Sequence, residues 1–283
     1  MQNILACVDA SSYVNSVCDL AAWAAKRLQM PVELLHVIQH KDAVAARGDL
    51  SGAIGLGAKT DLMEELVRLE EADSRLKVER GRALLAAGEA KLREAGVADV
   101  HILHRHGGIV ETILEREADA RVVVVGKRGA GHEFATDHIG SKIERVVRAS
   151  NKPVLIASPV AEEPRTIVFA YDASPAAGRA LERLVNSPLF TGLPVHIVMA
   201  DSDNEEHRRA LGDAAEQLRA DHDVTCTLQK AKPEQFIAEI VSQTPGALLV
   251  MGAYGHSPLR TLIVGSTTTI MIRTVKAPVL LVR

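Results

Sequence analysis

Aromatic residues are scarce: phenylalanine, tryptophan and tyrosine make up 3% of the 283 residues. Few rings are therefore available on which single-stranded bases could stack. Basic charge is not in excess either. Lys plus Arg number 33 against 36 Asp plus Glu, a formal net charge of -3, so no broad positive field draws polyanions. Both deficits argue against nucleic acid as a partner. The three cysteines, Cys7, Cys18 and Cys226, are odd in number and far apart, which implies no disulfide framework and suits a reducing compartment. The opening MQNILACVDASS has no basic segment, long apolar stretch or cleavage site. No apolar run approaches the roughly 18 residues of a membrane span. The expectation is a cytoplasmic protein with no membrane partner.

What is present is the balance of a globular chain with a sizeable core: 47% hydrophobic and 24% charged residues. The length suits two domains of about 140 residues each. The sequence also repeats itself. Asp9 pairs with Asp172, Ser11 with Ser174 and Pro31 with Pro194, all at an offset of 163; further on, Gly126 matches Gly252, Gly129 matches Gly255 and Pro153 matches Pro278. A repeat this long is domain duplication rather than a solenoid array. The domains are expected at 1–160 and 165–283, joined by AEEPR, where charge and a proline interrupt the apolar periodicity.

Within each half, short β-branched runs alternate with helical patterns, the sign of a parallel sheet covered by helices. In the second half, strands are expected near Thr166 to Tyr171, Pro194 to Ala200, Val224 to Gln229, Ala247 to Met251 and Pro278 to Val282, with helices between them. The first half carries an insertion at about 43–80, which opens on the glycine-rich RGDLSGAIGLGAKTD. A long helix over 61–96 follows, with Leu62, Leu66, Leu69, Leu76, Leu84, Leu85 and Leu92 at helical spacing. It reads either as an elongated surface helix with a solvated charged face or as an arm for a protein partner or a homodimer.

The stretch MGAYGHSPLRTLIVGSTTTI, from Met251, follows a hydrophobic strand with a glycine-pinned loop and starts the next helix on hydroxyls. The chain there leaves the carboxyl edge of a parallel sheet, where open α/β sheets bind ligands in a crevice. Gly252 and Gly255 let a ligand approach the backbone. Gly265, Ser266 and the threonines after them offer amides and hydroxyls at a helix N-terminus, which suits a phosphate chain. Such residues are also ordinary punctuation between a strand and a helix. Asp172, just past the first strand of this half, would face the same crevice, where a carboxylate can accept from ribose hydroxyls or an adenine amino group. Its alternative role is to cap the next helix.

The pattern Gly252-AY-Gly255-HSPLRTLIV-Gly265-Ser266, together with the strand ending in Asp172-Ala173-Ser174 and the terminal APVLLVR, resembles the nucleotide-binding signature of the universal stress protein family. The resemblance covers both halves. It implies an α/β fold of the adenine nucleotide alpha hydrolase-like type, two tandem domains each with a five-stranded parallel sheet and helices on both faces. It also implies ATP, with Mg²⁺ as an optional companion, across the strand ends. Asp172 would touch the nucleoside, Met199 or Ala200 and Met251 would line the base pocket, and Gly252 and Gly255 would follow ribose and phosphates. Gly265, Ser266, Thr267 and Thr268 would hold the phosphate tail. The last strands, Val154 to Ala157 and Val279 to Val282, would pair within one molecule as family dimers pair between molecules.

The first half departs from this pattern. Gly126-KR-Gly129 is followed by ten residues rather than nine before Gly140-Ser141. Lys127 and Arg128 would help neutralise phosphate while Glu133 and Asp137 oppose it. Asp9, Gly126, Gly129, Gly140 and Ser141 are therefore either a second site or a degenerate one.

Other chemistries lack their signatures: the first strands end in VDASS and YDASP rather than GxGxxG, and neither GxxxxGK[ST] nor GxSxG occurs. His101, His104 and His106, with His132 and His138, could ligate zinc, but on a strand His104 and His106 share a face and His101 takes the other. No catalytic residue is assigned; Arg260, within the loop, is a candidate only by proximity. The expected function is ATP-dependent regulation or sensing in the stress response. The alternatives are a weak ATPase and a nucleotide-independent scaffold working through the long helix.

Overall fold

A computed structural model of the chain describes residues 2–39, 56–128, 141–160, 162–253 and 266–283, without the side chains of 56–64, 141 and 266. The first half contains β1 (Asn3–Cys7), α1 (Val14–Leu28), β2 (Val32–Ile38), α2 (Leu56–Glu94), β3 (Val100–His106), α3 (Ile109–Arg116), β4 (Ala120–Gly126), α4 (Ser141–Ala149) and β5 (Val154–Ala157). The second contains β6 (Thr166–Ala170), α5 (Pro175–Asn186), β7 (Val195–Met199), α6 (Glu205–Leu218), β8 (Val224–Leu228), α7 (Pro233–Gln243), β9 (Ala247–Gly252), α8 (Ser266–Thr274) and β10 (Val279–Val282). The second-half strands fall where β-branched runs placed them. The long helix begins five residues before the expected Asp61, inside the glycine-rich segment.

The strand order is β3-β2-β1-β4-β5-β10-β9-β6-β7-β8. Each half is thus a parallel sheet of five strands in the doubly wound order, which reverses direction between its first and fourth strands. The expected pair of five-stranded sheets is refined in one respect: they are one ten-stranded sheet. β5 and β10 pair antiparallel, with Val279 opposite Ile156, Leu280 opposite Leu155 and Leu281 opposite Val154. Every other neighbouring pair is parallel.

Side chains alternate between the two faces of such a sheet, and both faces are covered. Ile4 and Ala6 of β1 pack with α1, α2, α5 and α6 in one apolar layer. Leu5 and Cys7 pack with α3, α4, α7 and α8 in the other. Both layers run unbroken across the two halves, because the β5–β10 junction leaves no gap. Burial pushes the Cys7 thiol far above the ordinary thiol range and Cys18 up to about 11, so both behave as apolar core residues. No described helix is long and apolar enough to cross a membrane.

The C-terminal half of α2 lies close on β2 and β3. A Cβ at Gly81 would stand 2.4 Å from His104 Nε2 and 2.8 Å from His36 Cδ2, so glycine sets the approach. The His36 and His104 rings lie 5.3 Å apart and those of His104 and His106 6.3 Å apart. Burial lowers the His104 pKa, with His36, His106 and Arg82 adding to it. Among the described residues no three His, Cys, Asp or Glu side chains are placed to hold a metal ion; His132 and His138 lie outside them.

Core layers continuous across the two halves predict that they unfold as one cooperative unit. Leu280→Ala removes a fully buried side chain at the junction and should cost about 2 to 5 kcal/mol. In scanning calorimetry the protein and this variant should each unfold in a single transition, the variant's at lower temperature. Two transitions, with only one displaced, would show that the halves unfold independently.

Candidate functional site

The reversal of strand order in the second half lies between β6 and β9, and it brings the sequence-named residues to one edge. Ala170 is in register with Met251 on one side and Val198 on the other. Asp172, two residues past Ala170, therefore stands between Gly252, one past Met251, and Ala200, two past Val198. The connection α8 starts at this edge, since it descends from the loop after β9 to the start of β10. Its first turn is Ser266, Thr267 and Thr268, whose backbone amides have no intrahelical partner. Gly255, Gly265 and Arg260 lie outside the described residues.

Asp172 is exposed, and its Oδ1 accepts from the Ser174 amide at 3.0 Å. It forms a turn before α5 rather than the cap itself. The cap is Ser174, whose Oγ accepts from the Ala177 amide at 3.2 Å, with Pro175 following in the first turn. Between them, Ala173 has φ +55°, a left-handed conformation that costs an L-residue roughly 1 kcal/mol. One amide leaves a carboxylate with several acceptor positions in reserve, and this one is held open toward solvent by a strained turn.

Gly252 does more structural work than its place in the motif suggested. A Cβ there would meet backbone atoms of Ala176 and Ala177 at 2.4 to 2.7 Å, so its missing side chain admits the first turn of α5. Ala200 is half-buried and packs on the same sheet face as the buried Met251; Met199 faces the opposite layer. Of the two alternatives for the base pocket, only Ala200 shares a side with Met251.

Glu234, in the first turn of α7, was not singled out from sequence. Its Oε1 accepts from Thr267 Oγ1 at 3.3 Å, placing a carboxylate beside the amides of α8. Thr268 is buried, and Thr269 Oγ1 is buried without a hydrogen-bond partner among the described residues. Amides, hydroxyls and an exposed Asp suit a nucleotide; Glu234 suits a divalent cation carried with it.

The first half repeats the register. Cys7 pairs with Val125, which sets Asp9 beside Gly126 as Asp172 is set beside Gly252. Asp9 Oδ1 likewise accepts from the Ser11 amide, at 3.2 Å. Gly129 and Gly140 lie outside the described residues, and Ser141 opens α4. Two differences follow. A Cβ on Gly126 would meet Tyr13 Cβ at 2.7 Å; the residue matching Tyr13 at the repeat offset is Ala176. The expectation that Lys127 neutralises phosphate is also corrected. Lys127 is buried on the α8 side of the sheet, and its Nζ donates to the Val275 carbonyl at the C-terminal end of α8, 3.0 Å away. Arg283 makes the reciprocal contact, donating to the Arg148 carbonyl of α4 at 2.6 Å. Each half thus places a cation at the negative end of the other half's last helix.

An α/β chain of two doubly wound halves, each with an Asp-x-Ser turn opposite a glycine at its strand reversal, defines the class. Comparison with known proteins gives the family. The family model described as universal stress protein family matches residues 1–158 and 198–283. The universal stress protein Slr1230 of Synechocystis is 33% identical over the full length of both chains. A universal stress protein crystal structure from Archaeoglobus fulgidus superposes with a TM-score of 0.72 at 21% identity, covering 99% of this chain and 98% of that one. A second structure, from Pseudomonas aeruginosa, gives 0.61 at 14% identity, covering 100% and 93%. The chain belongs to the universal stress protein family and carries its domain twice in tandem.

The buried Lys127 supplies a pH test. Burial, reinforced by the Arg128 charge, lowers its pKa from 10.5 to about 8. Between those values the unfolded chain holds a proton that the folded chain has lost. The contribution of Lys127 to stability therefore rises as pH climbs from about 8 to 10.5. In denaturant titrations, the stability difference between the protein and Lys127→Met should change across that window and be flat below it. Parallel curves would place the ammonium in solvent.

Proposed function

We propose that this universal stress protein binds ATP at the β6–β9 edge and acts as a nucleotide-dependent regulator or sensor in the cytoplasmic stress response. The observation that carries the reading is the convergence of Asp172, Ala200, Met251, Gly252 and the first turn of α8 at the strand reversal of the second half. Asp172 accepts from the nucleoside. Ala200 and Met251 give the base an apolar floor. The amides and hydroxyls of Ser266, Thr267 and Thr268 take the phosphates, helped by the positive end of the helix dipole. Gly255 and Gly265 belong to the same reading through the sequence motif. Glu234 opposes bare triphosphate and favours a Mg²⁺-loaded one. Asp9, Gly126, Gly129, Gly140 and Ser141 make a second, weaker site, because Lys127 is committed to α8 and Tyr13 stands against Gly126. The output surface in this reading is α2, through which the chain meets a protein partner or another copy of itself.

Calorimetry with the full chain tests it. ATP should bind the protein, and Asp172→Ala should weaken binding about tenfold or more, the value of about 1.5 to 3 kcal/mol for a charge-assisted hydrogen bond. Unchanged affinity in this variant, or no heat with the parent protein, would contradict the reading. Without Mg²⁺, Glu234→Gln should bind ATP about fivefold more tightly, as expected from roughly 1 kcal/mol of relieved repulsion. With Mg²⁺ that advantage should shrink. An equal gain in both conditions would show that the carboxylate has no part in cation binding.

A further inference from the structure

Every residue of α2 from Glu65 to Leu76 is exposed, including Leu66 at 41%, Leu69 at 58% and Leu76 at 48%. At 1.5 Å per residue this is about 18 Å of helix exposed on every side. The helix is anchored only further on, where the buried Gly81, Leu85, Gly88 and Leu92 face the sheet. Helices in proteins draw most of their stability from packing of an apolar face, and this stretch has leucines without packing.

Those leucines form a seam. Positions 66, 69, 73, 76, 80, 83 and 87 alternate steps of three and four, the spacing that keeps one stripe facing a partner helix. The stripe reads Leu66, Leu69, Asp73, Leu76, Arg80, Ala83, Ala87. It lies well round the helix from the Leu85–Leu92 side, and Ala83 and Ala87 are exposed although α2 is by then seated on the sheet. The same stripe therefore stays accessible along both portions of the helix, with leucines at one end and alanines at the other.

Charge says what covers it. Residues 65–73 are acidic, with Glu65, Glu70, Glu71 and Asp73 against Arg68, and residues 75–82 are basic, with Arg75, Lys77, Arg80 and Arg82 against Glu79. Two copies in parallel would set Asp73 against Asp73 and Arg80 against Arg80. Antiparallel copies set the acidic portion of each against the basic portion of the other. The geometry points to a homodimer in which α2 pairs antiparallel with α2 of a second copy. In its central register Asp73 lies over Leu76 of the other copy, Leu69 over Arg80 and Leu66 over Ala83. Bulky leucines then meet small alanines, and Asp73 lies one turn from the layer that holds Arg80 of the other copy. Glu70 and Lys77 flank the seam as a second complementary pair. Two of these charges are paired with neighbours on the same helix, Lys77 with Asp73 and Arg75 with Glu71 at 3.7 Å. Exposed pairs of this kind are worth a few tenths of a kcal/mol and yield readily to contacts across an interface.

This surface is on α2, away from the β6–β9 edge, and its test needs no nucleotide, so it stands or falls separately from ATP binding. Sedimentation velocity of the full chain over a dilution series should show a reversible monomer–dimer equilibrium. Leu66→Glu with Leu69→Glu should leave only monomer, with the circular dichroism of a folded chain. Asp73→Arg and Arg80→Asp should each weaken association about tenfold, and the two together should restore it to near the parent value, since the swap rebuilds the same antiparallel complement. Three outcomes would overturn the inference: a parent chain monomeric at all concentrations, as when residues 40–55 of the same chain cover the stripe; a dimer indifferent to the glutamates, held by another surface; or a double charge swap that fails to recover association while each single variant weakens it.

Discussion

The antiparallel pairing of β5 with β10 is the constraint from which the rest of the architecture follows. Each half alone is a parallel sheet with a bare, fully apolar last strand, and such an edge in water invites aggregation. Setting Val154–Ala157 against Val279–Val282 removes both edges at once and joins the core layers on either face. Because the pair is antiparallel while each half is parallel, the carboxyl edge of one half adjoins the amino edge of the other. The two strand reversals, with their Asp-x-Ser turns, therefore open on opposite edges of one sheet. The same geometry delivers Lys127 to the end of α8 and Arg283 to the end of α4.

Duplication within this frame lets the surroundings of the two Asp-x-Ser turns diverge while the fold is kept. Asp9 and Asp172 keep one register and one turn. What differs surrounds them. The second half has Ala176 where the first has Tyr13, Ala253 where the first has Lys127, and a left-handed Ala173 where Ala10 is not left-handed. Backbone strain is retained where the surrounding structure enforces it, and it gathers at functional sites. The strained turn and the small neighbours both belong to the half whose glycine spacing matches the family signature. A cavity of about 600 Å³ lined by Ser242, Thr244, Gly246, Thr274, Lys276 and Ala277 opens at the opposite edge of that half, away from Asp172.

The short β-branched strands, the interleaved helices and the 163-residue repeat could be read directly, because hydrophobic patterning is local and both copies say the same thing. Spacing also named the candidate site residues, because glycine and hydroxyl positions in a strand–loop–helix connection follow from the connection itself. The contacts that cross the fold were not. Nothing adjacent to Lys127 in sequence indicates that its ammonium ends at Val275, 148 residues on. Glu234 reads as an acidic residue in the first turn of its helix until α7 and α8 are laid side by side. Gly252 belonged to a ligand motif by pattern, whereas its packing against Ala176 and Ala177 emerges only when α5 is docked. The glycines within the insertion marked a loop, yet α2 starts at Leu56 and carries Gly57; a long, well-anchored helix tolerates a glycine at about 1 kcal/mol.

The central claim is that one edge of the second half is a nucleotide site, and hydrogen exchange followed by mass spectrometry addresses it without a mutation. Added ATP should slow exchange in peptides that cover 172–177 and 266–270, the turn at Asp172 and the first turn of α8, more than anywhere else in the second half. Protection confined to 242–247 and 274–278, around the cavity at the far edge, or no protection at all, would contradict it.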